Sequence, residues 1–396
     1  MSTTDKTDST PQLMSRGLTL LFAVAGGAAV GNLYWSQPLL EFIARDFQSS
    51  AATAGWLVTL TQIGYVLGIL LVVPLGDVLN RKRVVPLILL CSAVALALCA
   101  AAPSVVVLQT ALFAVGLSTV AGQLLVPLAG DLAGAGARVK VVGTVTAGML
   151  TGILLSRTIS GFIAGLLGWR AVYIVAAIAA VVFAVVLRRA IPQLEPKTSM
   201  PYAALLASLG TILAQHRMIR WTLLLGATAF AVFTMFWTSL TFLLSAAPFS
   251  YTVPVIGLFG LAGLAGVITA QRAGWLYNRG WGFPATGAAW AATLLTLVAA
   301  ALGAGSVVVI VLAVIVIDIA IQVINRINQA SLFEVSHEAR SRLNTLFVTG
   351  NFIGGAAGSA AVAVLWPIGG WTAIMVAGSG LCLVGLLLWW LGRRTA

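Results

Sequence analysis

Leu75-Gly76-Asp77-Val78-Leu79-Asn80-Arg81-Lys82-Arg83 is a short charged stretch between two long apolar runs, in a chain of 396 residues of which only 8% are charged. A helix needs about 20 apolar residues to cross a bilayer, and the runs on either side are of that kind. Three consecutive cations between them fix which side of a membrane this stretch faces. A weaker copy, Gly274-Trp275-Leu276-Tyr277-Asn278-Arg279-Gly280, follows roughly 200 residues later and points to a duplicated unit.

Composition agrees. The chain is 60% hydrophobic, beyond the range of soluble domains. A net charge of +12 would suggest nucleic acid in a soluble protein, but here roughly nineteen of the 22 Lys and Arg fall on one side of the threading. Only Arg45 and Arg170 fall opposite, and Arg157 falls inside a span. That is the positive-inside bias; it makes the basic side cytoplasmic and argues against nucleic-acid binding. Cys91, Cys99 and Cys382 lie in apolar runs without paired spacing, and His216 and His337 stand far apart in polar connectors. No disulfide framework, metal site, cofactor or catalytic triad is expected.

Read in order, residues 1–16 form a polar, disordered cytoplasmic tail, with no cleavable signal ahead of the first span. The expected fold class is an all-α membrane protein with twelve transmembrane helices in two six-helix, pseudo-symmetric bundles. The first bundle, 17–190, holds spans near 17–40, 53–76, 84–102, 105–129, 141–166 and 171–189. A cytoplasmic linker, 191–219, leads to the second, 220–396, with spans near 220–245, 253–276, 284–303, 306–328, 344–366 and 371–391. Both termini are then cytoplasmic.

The duplication shows in register. At an offset of 202, Trp35 meets Trp237, Ala137-Arg138 meets Ala339-Arg340, Gly148 meets Gly350, and Gly168-Trp169 meets Gly370-Trp371. Parallel repeats of this kind mark secondary transporters, whose substrate sits between the halves near the midplane.

The opening stretch resembles the signature between helices 2 and 3 of the major facilitator superfamily, Gly-x-Leu-Ala-Asp-Arg-x-Gly-Arg-Arg/Lys. Leu75, Asp77, Arg81 and Lys82 fall on the pattern, with Gly76 at its Ala. Val73, Val78 and Asn80 depart from it. The stretches Asn32 to Arg83 and Glu338 to Thr345 look like bacterial efflux members of the drug:proton antiporter branch. Two signatures of that branch are altered: Leu112 stands where span 4 carries an Arg, and Arg157 stands at the Pro of the span 5 motif that begins at Gly152. The resemblance implies a proton-coupled carrier working by alternating access, with the standard antiporter motif not carried over intact.

Two ionisable residues lie deep in spans, Arg157 and Asp318. Such groups are costly and usually face the interior with a partner. They are expected to meet, directly or through substrate, in a contact that changes during transport. Burial disfavours a carboxylate and a nearby cation favours it, so opening the contact would let Asp318 take a proton. A static ion pair fixing helix packing is the structural alternative. Asn32, Tyr34, Gln37, Gln62, Tyr65, Gln123, Gln322, Asn325 and Asn351, with Phe233, Phe236 and Trp237, are candidates for a substrate cavity suited to an amphipathic molecule. Any single amide serves equally well as an interhelical hydrogen-bonding group. At the cytoplasmic gate, Asp77 is placed to face the start of span 11 near Asn344, and Arg81 to pair with Asp131. The second copy has Asn278, with Arg279 and Glu334 available. Small-x3-small spacings on spans 2, 5 and 11, and Gly257, Gly260, Gly263 and Gly266 on span 8, allow close helix approach and sliding.

The leading expectation is an inner-membrane efflux carrier exchanging protons for a small amphipathic or drug-like molecule, acting as a monomer in the lipid bilayer. The rival is a dedicated metabolite or organic-acid carrier in which Arg157 holds a carboxylate. An enzyme is disfavoured because no cluster of His, Cys or carboxylates is available, and a channel because duplicated halves with a gate suit alternating access.

Overall fold

The computed structural model describes residues 14–134, 136–193, 200–263, 266, 269, 275–335 and 340–392. Expectations for residues 1–13, for Glu195-Pro196-Lys197, Gly274, His337, Glu338 and Ala339, and for Arg393-Arg394 lie outside the described residues. The elements described are helical. Nine helices among them are long and apolar enough to cross a membrane. One of these, Arg340–Gly392, is two crossings joined at non-helical Gly369 and Gly370, spans 11 and 12. Two further crossings use shorter helices: span 1 is Arg16–Gly31 continued by Leu40–Asp46, and span 8 begins as Val253–Ala262. The rest are Ala51–Leu71 (span 2), Arg81–Ala100 (span 3), Val105–Ser118 with Ala121–Leu132 (span 4), Arg138–Leu167 (span 5), Trp169–Ala190 (span 6), Arg217–Ser245 (span 7), Gly282–Leu302 (span 9) and Val307–Glu334 (span 10). Ser15, Ser50 and Ser104 cap their helices by accepting backbone N–H bonds, and Asn80 does the same for Lys82 at the head of span 3. Leu302, Leu166 and Val94 face outward at 86%, 81% and 62% exposure, an arrangement that is stable only against lipid.

Two spans read as single helices are broken. Span 1 turns at residues 32–36 and resumes through a short 3-10 segment, Gln37–Leu39. Span 4 breaks at Thr119 and Val120. Irregular backbone at membrane depth survives only where protein groups satisfy it, and these two breaks satisfy each other. The Asn32 amide donates to the Thr119 hydroxyl at 3.0 Å, and that hydroxyl donates to the Ala29 carbonyl at 2.6 Å.

Within the first half, span 1 packs on span 5, span 2 on span 4, and span 3 on span 6; in the second, span 7 lies along span 11 and span 9 along span 10. The halves meet along two lines, span 2 against span 11 and span 5 against span 8. The repeat is visible in the turns: Gly168 and Gly370 both adopt positive φ, at 85° and 54°, and each precedes a Trp whose indole bonds across that end. Trp169 donates to Asp46 at 3.0 Å and Trp371 to the Ala300 carbonyl at 2.8 Å. The connector contributes a surface helix, Tyr202–Gln215, whose Tyr202 hydroxyl donates to the Leu71 carbonyl.

The glycines divide into two sets. Gly64 and Gly68 lie against span 4, Gly148 and Gly152 against Ala23 and Gly27 of span 1, and Gly354 and Gly358 against Ala227 and Ala231 of span 7. These pairs set packing within a half. Glycines at the contacts between the halves include Gly55 against Ala363, Gly355 against Gln62, and Gly161 and Gly165 against Val253, Pro254 and Gly257.

Candidate functional site

The centre holds a buried polar layer. Arg157 projects from span 5, 2% exposed, and its Nε donates 2.8 Å to the side-chain oxygen of Gln37. Its guanidinium carbon lies 4.1 Å from the Trp237 ring, 4.9 Å from Tyr34 and 5.8 Å from Phe233. A desolvated cation over an aromatic face is stabilised by about 2 kcal/mol, so three rings partly replace the lost hydration. Asp318, 3% exposed on span 10, feels the charge of Arg157 through space. The direct contact expected between them is not closed: the ion pairs within 4.0 Å among the described residues are Arg45–Glu41, Arg81–Asp77, Arg81–Asp131 and Arg170–Asp46. Both terminal nitrogens of Arg157 are buried without a partner in hydrogen-bond geometry, and the Trp237 indole N–H lies near the Asp318 carboxylate without closing a well-formed hydrogen bond to its Oδ2.

Span 8 is what brings the two charges into one layer. A Cβ at Gly260 would stand 3.1 Å from Cβ of Arg157, one at Gly263 3.4 Å from the Asp318 carboxyl carbon, and one at Gly266 2.9 Å from the Asp318 backbone. Four glycines at i+3 intervals thus present a side-chain-free face to span 5 at one end and to span 10 at the other.

Beside this layer is a hollow of about 190 Å³. Of the candidate cavity residues it brings together Tyr34, Tyr65, Gln123, Phe233, Gln322, Asn325 and Asn351. Gln123 donates to the Tyr65 hydroxyl at 3.0 Å, and Asn351 to the Asn325 oxygen at 3.3 Å. Five candidates lie elsewhere. Asn32 spends its amide on Thr119 and on the Trp35 indole. Gln37 holds Arg157, and Phe236 packs at a tilt against Trp371 inside the second half. Gln62 is buried against span 11 at Gly355. Trp237, like Arg157, is not in the wall, whereas Tyr34 and Phe233 both line the hollow, with ring centres 4.9 and 5.8 Å from the guanidinium carbon. The wall also holds residues not anticipated, Phe230, Phe352 and Arg326. Phe230 is readable as one turn before Phe233. Arg326 hid beside the expected end of span 10, which continues to Glu334.

The hollow continues into a second of about 550 Å³, sharing Gln123, Thr146, Met149, Arg326, Gln329 and Val348, that reaches Asp77, Arg81 and Asp131. Arg81, 6% exposed, ties this end together: it bonds Asp131 at 2.6 Å, Asp77 at 3.0 Å and the Gly76 carbonyl at 2.7 Å. Asp77 is thus engaged by Arg81, while Asn344 accepts from Gln329 at 2.9 Å; both line the same hollow. In the second copy Asn278 is exposed, Arg279 stacks 4.0 Å over Trp275, and Glu334 accepts from Tyr277 at 2.7 Å. That phenol is pushed up to about 12, by partial burial first and by the Glu334 carboxylate second.

From the polar layer toward the opposite end the halves are closed. The Thr59 and Ser359 hydroxyls meet at 2.9 Å, Thr158 donates to the Gly257 carbonyl at 2.9 Å, and Thr241 to the Gln37 carbonyl at 2.8 Å. A shallow vestibule beyond, lined by Glu41, Arg45, Tyr251 and Pro254, shares no wall residue with the central hollow. Among the described residues no three His, Cys, Asp or Glu side chains converge to hold a metal ion.

The model of the Major Facilitator Superfamily matches residues 20–333. The "Uncharacterized transporter YgaY" of Escherichia coli O157:H7 is 40% identical over 379 residues, 96% of each chain. The "Probable transporter SCO4007" of Streptomyces coelicolor is 31% identical over 373 residues, 90% of this chain and 86% of that one. Among solved structures, a bacterial homolog of the human lysosomal transporter Spinster, in an inward-facing and occupied conformation, aligns with a TM-score of 0.81 at 14% identity, covering 96% of this chain and 97% of that one. At that identity the likeness concerns the fold. Sequence, helix order and repeat agree: the chain belongs to the Major Facilitator Superfamily and is a multi-pass membrane transporter rather than an enzyme.

Proposed function

We propose that the protein is a proton-coupled secondary transporter that exports a small amphipathic molecule by alternating access. The observation that carries this reading is the buried Arg157 and Asp318 layer with its ionic contact unmade. Unpaired buried polar groups cost about 1–3 kcal/mol each, and charges in a membrane interior are costlier still. A layer holding such groups on spans of both halves is suited to exchanging partners as the halves tilt. Protonation of Asp318 neutralises its charge; its return to the carboxylate restores attraction to Arg157. The rival role, Arg157 holding a substrate carboxylate, is less favoured because Arg157 does not line the hollow and its guanidinium is already engaged by Gln37 and three aromatic rings.

The halves 17–190 and 220–396 move as units about the two contact lines, with 191–219 as the strap. The basic end faces the cytoplasm by the positive-inside rule, so the conformer is open to the cytoplasm. Asp77, Arg81 and Asp131, with Asn278, Arg279 and Glu334 in the copy, border that opening. The resemblance of Asn32 to Arg83 to efflux carriers supports outward direction, and aromatic rings with few polar groups support an amphipathic cargo. The test is transport by purified protein in proteoliposomes, with a small-compound panel and an imposed pH gradient. Uphill movement abolished by a protonophore is expected; movement indifferent to the gradient rejects coupling.

A further inference from the structure

The coupling layer leaves one charge without a task. Arg326 is half-buried on span 10 and, among the described residues, is the one charged side chain in the wall of the central hollow. Its Nη1 donates 3.2 Å to the Gln329 oxygen, and no carboxylate among the described residues lies within 4.0 Å of it. Asp318, eight residues earlier, is about 12 Å away along the helix and does not line the hollow. The wider hollow has the same sign: Arg81, Arg138, Arg326 and Arg340 face it against Asp77 and Asp131, both of which Arg81 already holds. A cleft lined by one sign of charge concentrates the opposite sign from solution.

The remaining wall completes the chemistry. Tyr65, Phe230, Phe233 and Phe352 form a ring cluster with centroid separations of 4.5 to 5.5 Å, and the same wall holds the amides of Gln123, Gln322, Asn325 and Asn351. An apolar cavity of about 150 Å³ admits benzene, so a hollow of about 190 Å³ admits one substituted ring with its polar arm toward the mouth. A cationic amphipath would bring a second positive charge beside Arg326. An anionic one would give Arg326 its missing partner in a bidentate geometry that guanidinium favours.

We propose that the transported molecule is an amphipathic organic anion, a carboxylate or sulfonate on a ring, whose anionic group is held by Arg326 while its ring lies against Phe230, Phe233 and Phe352. This rests on the reading of the hollow as the substrate site, and not on proton coupling.

The test is thermal unfolding of the full chain in detergent with four matched probes: 3-phenylpropionate, 2-phenylethanesulfonate, 3-phenylpropanamide and phenethylammonium. The carboxylate and sulfonate are expected to raise the melting temperature saturably, and the amide and ammonium to leave it nearly unchanged. Arg326→Gln should weaken anion affinity roughly ten- to a hundredfold, and Arg326→Lys should retain part of it. Should Arg326→Gln melt too low for use, Gln329→Glu, which sets a carboxylate against Arg326, must abolish the anion-dependent shift. Equal anion binding by Arg326→Gln, tighter binding of the ammonium, or no shift with either anion overturns the proposal. Asp318→Asn that binds the anion yet still transports it uphill on a proton gradient would defeat the coupling reading and leave Arg326 standing.

Discussion

Gly266 lies directly on the backbone of Asp318. A Cβ at that glycine would meet the Asp318 carbonyl carbon and oxygen at 2.9 Å, closer than real Cβ contacts come, so the helices would have to part. Gly266→Ala is therefore expected to destabilise the protein by about 1–3 kcal/mol, the range for overpacking a tight contact, and to reduce transport. Gly143→Ala, which has open space around it, is the control. Melting temperature and transport rate, measured on both, check this.

The closed end should respond to a wedge. The Cβ of a residue at 161 would stand 2.8 Å from the Val253 carbonyl, so Gly161→Leu penalises the conformer in which spans 5 and 8 touch there. A penalty of about 2 kcal/mol shifts a two-state balance roughly thirtyfold. Spin labels at Arg45 and Ala246, both exposed at that end, should move apart in the variant; an unchanged distance distribution would count against a rocking interface.

At the basic end, Arg81 has more to lose than its partners. Its side chain is 7% exposed, against 24% for Asp131 and 33% for Asp77. Asp131→Asn leaves a buried guanidinium short of its 2.6 Å partner and is expected to destabilise by about 1–3 kcal/mol, below the range for fully buried pairs because Asp131 is partly solvated. Asp77→Asn should cost less and slow turnover while insertion stays intact. Chemical-denaturant unfolding and transport assays on the pair separate the two effects.

Asp46 supplies a pH signature. The Arg170 hydrogen bond first, and the Trp169 indole second, hold its carboxyl below the ordinary value of 3.8. A depressed folded-state value stabilises the fold above the unfolded one and loses that contribution as pH falls through the folded one. Asp46→Asn should therefore melt below wild type at neutral pH, and the gap should close as pH falls from about 5 toward 2. A gap independent of pH would show that the ionic contact is idle.

Much of the fold was legible because burial in lipid leaves a coarse signal: twenty apolar residues and a basic loop need no fine geometry. The breaks at Asn32 and Thr119 were not legible, because each is stabilised by the other across 87 positions of sequence. Small-x3-small spacing identified close packing but not its partner; Gly148 and Gly152 face span 1, whereas Gly161 and Gly165 face span 8. In the site, residue type marked Arg157 and Asp318 as unusual at depth, while the wall of the hollow depended on helix rotation. Phe233 and Phe236, one turn apart, therefore ended on different sides, and nothing in the sequence sets Arg326, near the end of span 10, apart from the other basic residues of that side.

The central claim is that Asp318 carries the transported proton beside Arg157. Its most direct measurement compares two fluxes of one substrate in proteoliposomes bearing Asp318→Asn: counterflow exchange without a gradient, and uphill accumulation under an imposed pH gradient. Retained counterflow with accumulation lost is the expected result. Accumulation at the wild-type level would contradict it.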